Sequence, residues 1–186
     1  MRSSRREARN HQARMSTKRR NTMNRRATLA MTAVSLLSVG VALRAGGGIG
    51  YAQQRSDTDN VNAAINAFHA ALENLDIGKM QGVWAQEPYV VLINPRDKAP
   101  AVGWDAVKKD WQERVFGFWA ELKLSPKQAP HIHVDQTTAW TTGVVGVEGK
   151  NKSGQALSFT IIETQVYEKH GDRWLMVSHH ASRVPE

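Results

Sequence analysis

Cysteine is missing from all 186 residues, which excludes disulfides, thiolate catalysis, zinc ribbons, iron–sulfur clusters and the lipidated cysteine of a bacterial lipoprotein. Stability must therefore come from packing. Long hydrophobic runs are scarce as well: the uncharged stretch from Ala27 to Leu43 has 17 residues broken by Thr, Ser and Gly, short and polar for a membrane span. A basic surplus is absent from most of the chain. The net charge of +8 arises in residues 1 to 52, where 11 Lys and Arg face the single acid Glu7, while the remaining 134 residues carry 14 basic and 16 acidic side chains. Sequence-independent nucleic-acid binding needs a cationic surface, so no nucleic-acid partner is expected of this near-neutral body. The length fits one domain of ordinary size.

What is present begins with a leader. Asn24-Arg25-Arg26-Ala27-Thr28-Leu29, followed by a mildly hydrophobic run rich in Ala, Ser, Thr and Gly, resembles the twin-arginine export signal. Gly50 and Ala52 are the small residues a signal peptidase accepts, so residues 1–52 are expected to form a signal peptide cleaved after Ala52, with a retained anchor as the alternative. Met15 or Met23 are alternative starts to Met1. The implied partner is the twin-arginine export machinery, and the implied location is periplasmic or secreted. Residues 53–58 are expected as a linker and 59–184 as the folded domain.

In the body, Val61, Ala64, Ile65, Phe68, Leu72 and Leu75 form one helical stripe, with Asp57 or Asp59 as the N-cap. Ile77, Met80 and Trp84 predict a short second helix, Tyr89 to Ile93 a strand, and Trp104, Val107, Trp111, Val115 and Phe118 or Trp119 a third helix opened by Gly103. Strands then follow at Leu122 to Leu124, His131 to Val134, Ala139 to Val147, Leu157 to Tyr167 and Trp174 to Ala181, separated by turn residues. Three helices and an early strand followed by a meander is an α+β order.

That order, the Gly103-Trp104-Asp105-Ala106-Val107 helix start, and the closing run Tyr167-Glu168-Lys169-His170-Gly171-Asp172-Arg173-Trp174 through His180-Ala181-Ser182 resemble the nuclear transport factor 2-like superfamily, in particular its SnoaL-like domains. The resemblance implies a cone-shaped barrel in which a bent antiparallel sheet wraps about three N-terminal helices and leaves an apolar pocket at its open end. It also implies a homodimer. Fold alone does not settle activity in such a family. Ketosteroid isomerases of this superfamily need a carboxylate base together with a tyrosine and a protonated aspartate as donors. By element order those positions fall near Asn94, Phe68 and Thr164, none of which supplies the required group.

Alternation along the last strand puts Trp174, Met176, Ser178, His180 and Ser182 on one face. The resemblance turns that face to the pocket, which makes His180 the candidate catalytic base; its bland alternative is a histidine satisfied by a neighbouring strand or by Ser182. Tyr89, Asn94, Trp111, Trp119, Thr164 and Ser182 are the candidate ligand-binding residues. On the preceding strand, Thr160, Ile162, Thr164 and Val166 are expected to wall the pocket, and Phe159, Ile161, Glu163, Gln165 and Tyr167 to face solvent or a second subunit. His131 and His133 have a metal-ligand spacing and could take a third ligand from His180, Glu163 or Asp135, but solvated histidines at a strand start are the expected state and no metal is assigned. His69 is expected in solvent. Two functions remain open: binding of a small apolar or aromatic molecule, or a cofactor-independent isomerase, cyclase or hydratase working by proton transfer on a small carbonyl compound with His180 as base.

Overall fold

The computed structural model describes residues 46–185, so the twin-arginine motif and alternative starts lie outside the described residues. The first helix, α1 (Gly46–Glu73), passes through the expected cut at Ala52 and through residues 53–58, so the expected linker is helix and neither Asp57 nor Asp59 is an N-cap. Asp57 is buried instead, because its carboxylate accepts from Lys169 Nζ at 2.7 and 2.9 Å and from Trp174 Nε1 at 3.4 Å. Burial alone would raise its pKa, but the bonds from Lys169, Gln53 and Trp174 outweigh that and hold it below the usual carboxylate value. Among the described residues no helix is long and apolar enough to cross a membrane.

The stripe on α1 is real: Val61, Ile65, Phe68 and Leu72 are buried. It is wider than the apolar residues alone suggest, since His69 is buried beside them rather than solvated. Leu75 takes a left-handed φ of 50° and ends the helix. Asp76 then caps α2 (Ile77–Val83), accepting from the amides of Gly78 and Lys79 at 2.8 and 3.1 Å. Two short strands follow, β1 (Val91–Ile93) and β2 (Ala101–Val102). Gly103, with φ 84°, lies so close to the Pro88 carbonyl that a Cβ would crowd it at 3.3 Å, and it opens α3 (Trp104–Asp110).

The third helix is shorter than its aromatic stripe predicts. After Asp110 it widens into a π turn over Trp111–Val115, with the Phe116 amide donating to the Trp111 carbonyl at 2.8 Å, and then stops. Trp119 therefore begins a strand instead of ending a helix. The strands are β3 (Trp119–Pro126), β4 (His131–Val134), β5 (Thr138–Asn151), β6 (Ala156–His170) and β7 (Arg173–Arg183). They form one sheet in the order β2-β1-β7-β6-β5-β3, with β4 sharing the edge of β5. The sheet is mixed, not purely antiparallel, because β1 runs parallel to β7.

One irregularity decides the site. In the β6–β7 ladder Val166 pairs with Ser178 and Tyr167 with Met176, so Val177 is an extra residue on β7. Met176 and Val177 both pack inward, and the alternation beyond them is inverted: His179 and Ala181 are buried, whereas His180 and Ser182 are exposed. On β6 the inner face is Phe159, Ile161, Glu163, Gln165 and Tyr167, and Thr164 and Ile162 are exposed. The expected assignment of the β6 faces is thus reversed. Its polar members are tolerated inside because they have partners: Glu163 has His69, and Gln165 accepts from Tyr167 Oη at 2.8 Å and from Thr141 Oγ1 at 3.2 Å.

Candidate functional site

Between the end of α1, the π turn and the far ends of β3, β5, β6 and β7 lies a cavity of about 220 Å³. Leu122, Leu124 and Val147 wall it from β3 and β5, Leu157, Phe159 and Ile161 from β6, and Trp111, Val115, Phe118 and Trp119 from the segment joining α3 to β3. Trp119 lies near Phe159, with ring centroids 6.4 Å apart and planes at 29°. Such a wall favours flat, apolar matter.

Polar groups reach the cavity at two places. One holds Glu163 and His179, both buried. Glu163 Oε1 is 2.8 Å from His69 Nε2, so a helix histidine fixes the carboxylate from behind. The His179 ring sits against Phe68 at 4.9 Å and Trp111 at 6.0 Å, and its Nδ1 is buried without a hydrogen-bond partner among the described residues. Burial pushes its pKa down to about 4, against the opposing pull of Glu163, so the imidazole is neutral at pH 7.

The other polar place is the rim. Arg114, half exposed, bridges two carboxylates: Nη1 reaches Asp110 Oδ1 at 2.8 Å and Nη2 reaches Asp97 Oδ1 at 2.7 Å. Asn94 completes the cluster, its side chain donating to Asp110 Oδ2 at 2.8 Å and its amide to Asp97 Oδ2 at 2.7 Å. Burial and the neighbouring Asp97 raise the pKa of Asp110 despite Arg114. Exposed Arg96 and Arg183 also border the cavity.

Of the expected site residues, Asn94, Trp111 and Trp119 line this cavity. His180, Thr164 and Ser182 lie on the outer face of the sheet, where His180 pairs with Thr164, so the bulge moves the candidate base from His180 to its neighbour. Thr164 also gives way to its neighbour: the side chain that faces inward is the carboxylate of Glu163. Tyr89 is half exposed and away from the cavity, donating to Glu168 Oε2 at 2.7 Å; that bond pushes its pKa up to about 12. His131 and His133 flank Trp140 on the outer face, with ring centroids 5.2 and 5.7 Å from it. Glu163, on the opposite face, cannot join them, and among the described residues no group of three His, Asp or Glu is placed to hold a metal. His69, His179, Asp97, Asp110, Arg114 and Arg183 escape the sequence reading of the site, and Glu163 enters it only as a possible third metal ligand beside His131 and His133. A carboxylate in the middle of a β-branched strand, at Glu163, is the signal that could have raised the question.

No curated protein matches the chain. Among solved structures, a nuclear transport factor 2-like superfamily protein from Salmonella enterica serovar Typhimurium is 19% identical over 74% of this chain and 94% of its own, with a TM-score of 0.64. A provisionally assigned calcium/calmodulin-dependent protein kinase type II association domain from Thiobacillus denitrificans is 30% identical over 67% of this chain and 94% of its own, at 0.58. The hexachlorocyclohexane dehydrochlorinase LinA-type3 from Novosphingobium barchaimii is 10% identical over 73% and 91%, at 0.63. The family model of the SnoaL-like domain matches residues 61–186, so the chain belongs to the SnoaL-like domain family, and its fold is that of nuclear transport factor 2-like proteins.

Proposed function

We propose that this domain binds a small apolar or aromatic molecule in the cavity walled by Trp111, Trp119 and Phe159. The cavity itself carries the reading: about 220 Å³ with an aromatic and aliphatic wall, its charged side chains being paired with one another or with His69, or standing at the rim. An apolar void of ~150 Å³ already takes a benzene ring, so this one suits a single substituted ring. A thermal-shift screen of the purified protein with small aromatic and terpenoid carbonyl compounds tests it. Stabilisation by a subset, lost in Ala181→Phe, whose ring would fill the space, is the expected result; no stabilisation, or stabilisation that survives the filled cavity, overturns the proposal.

The buried His69–Glu163 pair beside a neutral His179 favours a second reading, proton transfer on the bound carbonyl compound. His179 takes the proton from the carbon next to the carbonyl, and Glu163 stabilises the imidazolium that forms. Deuterium exchange at that carbon in a bound ketone, followed by NMR, is expected to stop in His179→Gln and to persist in His180→Gln. The leader supports a further part of the proposal, export by the twin-arginine route. Arg25 and Arg26 changed together to lysine are expected to leave the protein inside the cell, and normal export of that variant would refute it.

A further inference from the structure

Resting on the cavity reading, we infer that the ligand is a small apolar acid, bound ring first with its carboxylate at the Arg183 side of the mouth. Six charged side chains line the cavity: Arg96, Arg114 and Arg183 against Asp97, Asp110 and Glu163. Four of them are committed. Arg114 spans the two aspartates, and Glu163 is held by His69. Arg96 and Arg183 have no carboxylate within ion-pair distance among the described residues, so the mouth keeps two unmatched cations beside an apolar interior.

Arg183 is also oriented. Its guanidinium carbon lies 4.3 Å from the centroid of the Phe159 ring, and Phe159 is part of the cavity wall. Lying over the ring, the guanidinium spends none of its N–H donors on a hydrogen-bond partner among the described residues, which leaves the planar fork that matches a carboxylate open. At the inner end the opposite holds: an anion driven there would meet the fixed carboxylate of Glu163 and lose its hydration. Charge at both ends therefore sets one direction of binding.

Calorimetric titration of the purified protein with 3-phenylpropionate and with 3-phenylpropanamide, at low salt, separates the claims. The acid is expected to bind about five- to tenfold more tightly than the amide, the range of an exposed but bidentate ion pair. In Arg183→Gln the two should bind alike while the amide keeps its affinity, and Arg183→Lys should restore only part of the preference. Equal binding of acid and amide to the wild type overturns the anionic ligand and leaves the cavity reading standing. A preference that survives Arg183→Gln overturns the role of Arg183. Binding of neither compound overturns both.

Discussion

The two ends of the cone are built from the same kinds of residue and end up differently. At the closed end, side chains from all three helices and from the sheet, including Phe68, Met80, Trp84, Val107, Tyr167 and Met176, meet in one buried cluster. At the open end the buried residues Trp119, Val145, Val147, Ile161 and Ala181 all come from strands, and the helix side contributes only partly buried Leu75, Val115 and Phe118. The difference lies in where the helices stop. Because α1 ends at Glu73, just before left-handed Leu75, and α3 dissolves into a π turn, the sheet runs on past the side chains that would have filled it, and the unfilled space is the cavity.

Trp111 tests that contrast most severely, since it packs on Phe68 in the closed core and also borders the cavity. Trp111→Ala is expected to cost about 3–5 kcal/mol in denaturant unfolding, through lost burial and an enlarged void. His179 comes next. Its imidazole is neutral when folded down to a pKa of about 4 but protonates near 6.5 when unfolded, so the unfolded state binds the extra proton and stability falls as pH drops from 6.5 to about 4. The loss over that window is ~3 kcal/mol, and His179→Leu should remove this part of the slope. Asp57→Ala, which strands Lys169 and the Trp174 indole, should cost about 1.5–3 kcal/mol by thermal melting. The smallest effect comes from a matched pair. Val107→Ala in the filled end should cost about 2 kcal/mol and Val147→Ala at the cavity wall about half of that, because a wall residue has fewer atoms around it to lose; equal losses would mean that the two ends are packed alike.

Much of this fold is legible in the sequence because its signals are local. The stripe Val61, Ile65, Phe68, Leu72 and the strand His131 to Val134 can be read directly, and the order of elements leads to the family. The candidate site is much less legible, since its geometry depends on three features that a period of two or 3.6 cannot express. An extra residue in β7 exchanges His180 for His179. A π turn hands Trp119 from a helix to a strand, though it still lines the cavity. Polar groups paired across distant segments, His69 with Glu163 and Asp57 with Lys169, look like surface residues until their partners are known.

Val177 has a further consequence for how such a site can change over time. Removing that single residue would erase the bulge and leave every present pairing intact, Met176 with Tyr167, Ser178 with Val166 and His179 with Gln165, so His179 and Ala181 would still face the cavity and His180 and Ser182 would still face water. A one-codon deletion would thus change which residue number faces the ligand without changing the side chain that does. Aligning relatives by position alone across this strand would compare a solvent-facing histidine in one protein with a cavity-facing histidine in another.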